Sequence, residues 1–146
     1  MKKKIIITGG LGYIGTELCR LYSGVSWHHK ILVIDNRFIS ERVNQIRNWN
    51  MEFIHGDILD KDLVNKYFSN ADVVHHLAGI TSVPRTKSES SKEIDEKIKL
   101  VAEEGTQNIL NTISNECKLI FPSTHVVYEG ISEVKKDIKE LSLIHI

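Results

Sequence analysis

Cysteine is scarce in this chain: two residues in 146, Cys19 and Cys117, far apart and in no CxxC pair. That pattern fits reduced, buried thiols in a cytoplasmic protein, with a lone disulfide or a metal site as the weaker alternative. Net charge is also lacking. Nineteen Lys and Arg balance nineteen Asp and Glu, so no overall field draws the chain to nucleic acid or to anionic lipid. Small ligands are the better expectation. No apolar run approaches the roughly 18 residues that span a bilayer, so no membrane segment is expected. The opening MKKKIIITGG has a basic start, but glycines follow Ile7 with no small-residue cleavage site, so it reads as a first strand rather than a signal peptide.

What is present is the make-up of a soluble globular domain, 41% hydrophobic and 26% charged, at a length that suits one core. Short β-branched runs at 4–8, 31–35, 51–55, 73–77 and 118–122 predict five buried strands. Helical patterns lie between them. Ile14, Leu18, Leu21 and Tyr22 share a face after the glycines, and Leu63, Val64 and Tyr67 do so after an Asp-rich start at Asp60 and Asp62. Residues 90–114, with Ile94, Ile98, Val101, Ile109 and Ile113 at helical spacing, predict one long helix behind the Ser-rich loop that holds Pro84. There is no internal repeat.

Strand-helix alternation implies an α/β fold with a doubly wound parallel sheet, the Rossmann arrangement. Right-handed crossovers put the first strand at the centre, the second and third to one side, and the fourth and fifth to the other.

The stretch TGGLGYIG sets Gly9, Gly12 and Gly15 after a strand and at the opening of a helix. Such glycines permit a tight turn and the close approach of a pyrophosphate, whose charge is met by free N–H groups at the helix start. Tyr13 and Ile14 lie in that first turn. Asp35 ends the second strand about 20 residues past Gly15, where a carboxylate can accept hydrogen bonds from ribose hydroxyls. A strand-terminal turn is the plainer account of Asp35 alone. The same carboxylate repels a 2′-phosphate, which favours NAD over NADP, although Arg37 two residues on softens that discrimination.

At this point the residues resemble the extended short-chain dehydrogenase/reductase family of NAD-dependent nucleotide-sugar epimerases and dehydratases. The resemblance runs from Lys4 to about Glu140. It rests on the glycine motif, on VIDN with Asp35 and Asn36, on HGDILD, on HHLAG, on EEGTQNIL and on FPSTHVVYEG, in that order. It implies that Asp57 and Ile58 hold the adenine, and that Leu77, Ala78 and Gly79 pass beside the cofactor ribose. It also implies that Thr124 hydrogen-bonds the substrate hydroxyl being oxidised, with Ser123 before it on the strand. Both hydroxyls could instead merely finish a strand. Tyr128 falls in the packing part of that motif.

The family's base is a tyrosine followed four places later by lysine, whose ammonium favours the phenolate. Here the tyrosines at 13, 22, 67 and 128 are followed by Glu17, Ser26, Ala71 and Ser132. The base is therefore missing. Three departures accompany this. Ala102 stands where the family has Asn, Glu129 displaces a glycine to Gly130, and Thr124-His125-Val126 replaces the Thr-Asp-Glu of the 4,6-dehydratases, which favours an epimerase-like or simple oxidoreductase parent.

The resemblance further implies a second half that carries the base and a substrate-gripping domain. The expectation is thus an incomplete NAD-binding domain over 1–140. The last six residues, LSLIHI, resemble translated library-adaptor sequence and are expected to be non-native, an apolar strand being the alternative. Such a piece would expose the fifth strand's edge, be marginally stable and poorly soluble, and show no turnover. In an intact parent the 90–114 helix would pair two copies, and the substrate would be a nucleotide sugar, most simply a UDP-sugar. A non-catalytic NAD-binding module, or another NAD(P)-dependent oxidoreductase of the same family, is the alternative reading. His125 is expected to point away from Thr124. No metal is expected at His28-His29 or His75-His76, because neighbours on a strand face opposite ways and no Cys or carboxylate cluster accompanies them.

Overall fold

The computed structural model describes residues 2–80 and 92–123. Five strands form one parallel sheet: β1 (Lys4–Thr8), β2 (Lys30–Asp35), β3 (Glu52–His55), β4 (Val73–His76) and β5 (Lys118–Ile120). Their order is β3-β2-β1-β4-β5, the doubly wound order expected from the sequence. Registers such as Ile6↔Leu32 and Ile6↔Val74 set the three central strands side by side. All five predicted strands form, within a residue or two of the expected ends.

Alternation along the strands divides the core in two. Ile5, Ile7, Ile31 and Val33 face α1 (Tyr13–Tyr22) and α2 (Ser40–Asn48), packing with Leu11, Cys19, Val43 and Ile46. Ile6, Leu32, Ile34 and Val74 face the other way, against Val64 and Phe68 of α3 (Lys61–Phe68) and Ile109. Because helices cover both faces, the central strands are buried along nearly their whole length. Each such side chain contributes about 1.5–3 kcal/mol on burial.

Two helical expectations need correction, and one further helix forms. The buried face of α1 is Gly15 and Cys19, with Leu18 and Tyr22 half-buried, while Ile14 and Leu21 are 67% and 63% exposed. The glycine at position 15 brings its side of the helix against the loop, and that rotates Ile14 outward. Helix α2 was not foreseen, because SERVNQIRN offers only Val43 and Ile46 as buried apolar residues. The long helix is not uniform: α4 (Lys92–Leu100) passes through a π-helical turn, Val101–Gly105, into α5 (Thr106–Thr112). A π turn is wider than an α turn and shifts the faces on either side of it. Only the later part is therefore buried, at Gly105, Asn108 and Ile109, whereas Ile94 and Leu100 stay exposed.

Candidate functional site at the carboxyl edge of the sheet

The loops that leave β1, β2, β3 and β4 meet at one edge of the sheet. There β1 lies between β2 and β4, the point at which the crossovers change direction. Such a switch point leaves a crevice outside the strand ends.

Gly9 starts the first loop with φ of +64°, a left-handed conformation that strains any residue with a Cβ. A Cβ there would also stand 2.7 Å from the Leu77 carbonyl oxygen, so the loop after β1 and the exit of β4 run in contact. The Gly12 N–H closes the turn onto the Gly9 carbonyl at 3.0 Å. Helix α1 follows with Gly12 as its N-cap and no side-chain cap, leaving first-turn N–H groups without the side-chain acceptor that usually satisfies them. At Gly15 a Cβ would lie 2.6 Å from the Gly10 Cα, which seats the helix directly against the loop. Tyr13 is 92% exposed at the mouth of this turn.

Asp35 reaches the same loop from β2. Its Oδ2 accepts the Leu11 N–H at 2.9 Å, and its Oδ1 accepts from Arg37, from the backbone N–H at 3.0 Å and from Nε at 3.3 Å. The side chain is 4% exposed while that of Arg37 is 58% exposed. Three of the roughly four acceptor positions of the carboxylate are thus filled by the protein. Arg42 of α2 adds a bond from Nη1 to the Leu11 carbonyl, which the sequence reading did not anticipate.

The next loop is tied to this one. The Asn36 side chain donates to Asp57 Oδ2 at 2.9 Å, Asp57 Oδ1 accepts the Leu59 N–H at 3.0 Å, and Ile58 is buried. Asn108 of α5 holds the loop from behind, its amide donating to the Ile58 carbonyl at 3.1 Å.

At the exit of β4 the N–H groups of Leu77 and Ala78 both donate to Thr8 Oγ1, at 3.1 and 3.0 Å. Thr8 Oγ1 lies 2.9 Å from His76 Nδ1, and His76 Nε2 lies 2.9 Å from Thr106 Oγ1. The His76 ring is buried and packs on Phe121, with centroids 5.4 Å apart. Burial holds its pKa down at about 4. His75 faces the opposite layer and bonds the Tyr22 hydroxyl at 2.8 Å. Burial, then the Lys118 charge, lowers its pKa as well.

The structure therefore brings Gly9, Gly12, Tyr13, Ile14, Gly15, Asp35, Asn36, Asp57, Ile58, Leu77, Ala78 and Gly79 to one edge. Ser123 is exposed beyond β5; Thr124, His125, Tyr128 and 141–146 lie outside the described residues. Thr8, His76, Thr106 and Asn108 were missed as site residues. His76 and Thr106 stand inside the quoted HHLAG and EEGTQNIL, but no spacing rule links residues thirty apart.

A parallel sheet with a glycine loop at its switch point places this chain in the doubly wound, Rossmann-like α/β class. The particular family is then plain: residues 5–143 match the NAD dependent epimerase/dehydratase family, and the chain belongs to it. Over 130 residues it is 34% identical to a UDP-N-acetyl-alpha-D-glucosaminuronate decarboxylase of Bacillus cytotoxicus, covering 88% of this chain and 38% of the relative. A UDP-glucose 4-epimerase of Neisseria meningitidis serogroup C is 30% identical over 138 residues, covering 86% and 38%. Among solved structures, the UDP-N-acetylglucosamine 4-epimerase of Methanobrevibacter ruminantium M1, in complex with UDP-N-acetylmuramic acid, superposes with a TM-score of 0.69 at 26% identity. That match covers 94% of this chain and 44% of the other. The chain thus spans roughly two-fifths of the length of these relatives.

Proposed function

We propose that this chain is the NAD-binding part of a nucleotide-sugar epimerase, with a UDP-sugar as the substrate of the whole protein. The observation that carries the reading is the joined glycine loop and Asp35: the carboxylate that would meet the ribose also fixes the loop that would meet the pyrophosphate, through Leu11. Gly9, Gly12, Tyr13, Ile14 and Gly15 would hold the phosphates at the uncapped helix start. Asp35 and Asn36 would hold the adenine ribose, Asp57 and Ile58 the adenine, and Leu77, Ala78 and Gly79 the second ribose. Bound NAD would supply a hydride acceptor. Thr124, preceded by Ser123, would orient the sugar hydroxyl that gives up its proton.

Asp35 favours NAD over NADP, because a 2′-phosphate would meet a buried carboxylate. Arg37 moderates this, since its exposed guanidinium already leans on Oδ1. The absence of a YxxxK from the sequence supports a chain of 1–146 that binds NAD without turnover, the remaining domain and the base belonging to the rest of the protein. The same absence favours a second reading, a non-catalytic NAD-binding module. In the intact parent, two copies would pair through the helical stretch from α4 to α5, whose Ile94 and Leu100 are exposed here.

Calorimetric titration of the 146-residue chain with NAD and with NADP tests the cofactor assignment. Saturable NAD binding is expected, weakened about tenfold in Asp35→Ala, with the NADP-to-NAD preference moving towards NADP. UDP-glucose incubated with the chain and NAD should remain unconverted. No NAD binding would overturn the cofactor assignment, and interconversion of the sugar would overturn the division of labour.

A further inference from the structure

We infer that His76, held as its Nε2–H tautomer between Thr8 and Thr106, is a positioning residue that sets the backbone of Leu77 and Ala78 at the edge of the cofactor site. The inference rests on the cofactor reading above for what that backbone touches, and on hydrogen-bond geometry for how it is set.

A threonine hydroxyl has two acceptor lone pairs and one proton. Both acceptor positions of Thr8 are taken, by the N–H groups of Leu77 at 3.1 Å and Ala78 at 3.0 Å. Its proton must therefore go to His76 Nδ1, 2.9 Å away, and Nδ1 must be the unprotonated nitrogen. A neutral imidazole then carries its proton on Nε2, which donates to Thr106 Oγ1 at 2.9 Å. Every member is satisfied, and among the described residues no buried side-chain polar atom is left without a partner. The other tautomer would present a third donor to a full Thr8 oxygen and release one of the two amides.

This relay joins three elements. Thr8 ends β1, one residue before the left-handed Gly9. Thr106 opens α5 directly after the π-helical turn. Phe121, whose ring packs on that of His76, lies two residues before Ser123. A single ring thus ties the exit of β4 to the glycine loop on one side and to the segment leading into the hydroxyl pair on the other. Its touch on any ligand is indirect, through the two amides.

The test has an arm that does not involve NAD. In the 146-residue chain labelled with nitrogen-15, the ring signals of His76 at neutral pH should show a protonated Nε2 and a bare Nδ1. A proton on Nδ1 overturns the inference. In His76→Phe, which keeps the ring stack, amide exchange at Leu77 and Ala78 should rise selectively over that at Ile6 and Val74. Unchanged exchange, or an equal rise at all four, would show a residue that only supports the fold and would sink the idea.

Given NAD binding by the wild type, His76→Phe should weaken it about tenfold, and His76→Asn, whose Oδ1 can still accept from Thr8, should recover most of the loss. Equal NAD affinity in His76→Phe and wild type would also overturn it. If the wild type binds no NAD, the cofactor reading fails and the tautomer and exchange results alone judge the relay.

Discussion

At the scale of single residues the site depends on groups with few alternatives. Gly9 combines a left-handed φ with contact to the Leu77 carbonyl. Asp35 is buried, with one oxygen bonded to the glycine loop at Leu11 and the other to Arg37 of its own loop. His76 is buried as the neutral ring, and this makes a pH prediction. Its pKa is about 4 in the folded chain against 6.5 when free, so between these values the unfolded chain binds the extra proton. Stability is therefore fully present above about pH 6.5 and falls as the pH drops towards 4. At about 1.4 kcal/mol per tenfold change in protonation, the loss amounts to about 3 kcal/mol. Urea midpoints at pH 7 and pH 4.5 should show this fall in the wild type and a smaller one in His76→Phe; equal slopes would contradict it. His75, lowered in the same direction by burial and Lys118, adds to the fall in both proteins.

The elements differ in how firmly their own sequences specify them. Helix α3 is announced by Asp60, whose Oδ1 accepts the N–H groups of Asp62 and Leu63 at 3.0 and 3.1 Å. Loss of such a cap costs about 1 kcal/mol. Asp60→Ala should lower the denaturation midpoint accordingly and leave NAD affinity unchanged, since the carboxylate it removes bonds N–H groups of α3 itself. A larger fall, or lost NAD binding, would show that Asp60 also holds the Asp57 loop. Helix α1 has no such cap, and Gly12 leaves its first-turn N–H groups open. The strands were readable because burial on both faces demands β-branched runs. Helix α2 was not readable, since two buried residues in nine leave almost no periodicity. Nor was the π-helical turn, because the apolar spacing from Ile94 to Ile113 fits an unbroken helix equally well.

On the scale of the whole molecule, the described surface carries several large apolar side chains. Tyr13, Ile14 and Leu21 border one apolar depression on α1, and Trp27 and Phe121 are 73% and 56% exposed. Among the described residues β5 lies at an edge of the sheet. Exposed apolar clusters and open strand edges favour association. The isolated chain is expected to self-associate on heating and to melt at or below the 45–65 °C usual for a mesophilic domain. Light scattering and calorimetry check this, with Leu21→Lys expected to reduce scattering without lowering the melting temperature. A sharp, reversible melt of a monomer well above that range would contradict it. No described helix is long and apolar enough to cross a membrane.

The sequence by itself determined the sheet, its strand order and the location of the glycine loop, since these depend on local runs and on the handedness of crossovers. It also determined which motifs belong together, through their order along the chain. What only the tertiary structure decided is the set of bonds between those motifs: Leu11 to Asp35, Asn36 to Asp57, and Thr8 to His76 to Thr106. Partners 21 to 68 residues apart leave no periodic trace in a sequence. Their pairing follows from strand register and from the turn of each helix, which exist only once the chain has closed on its core.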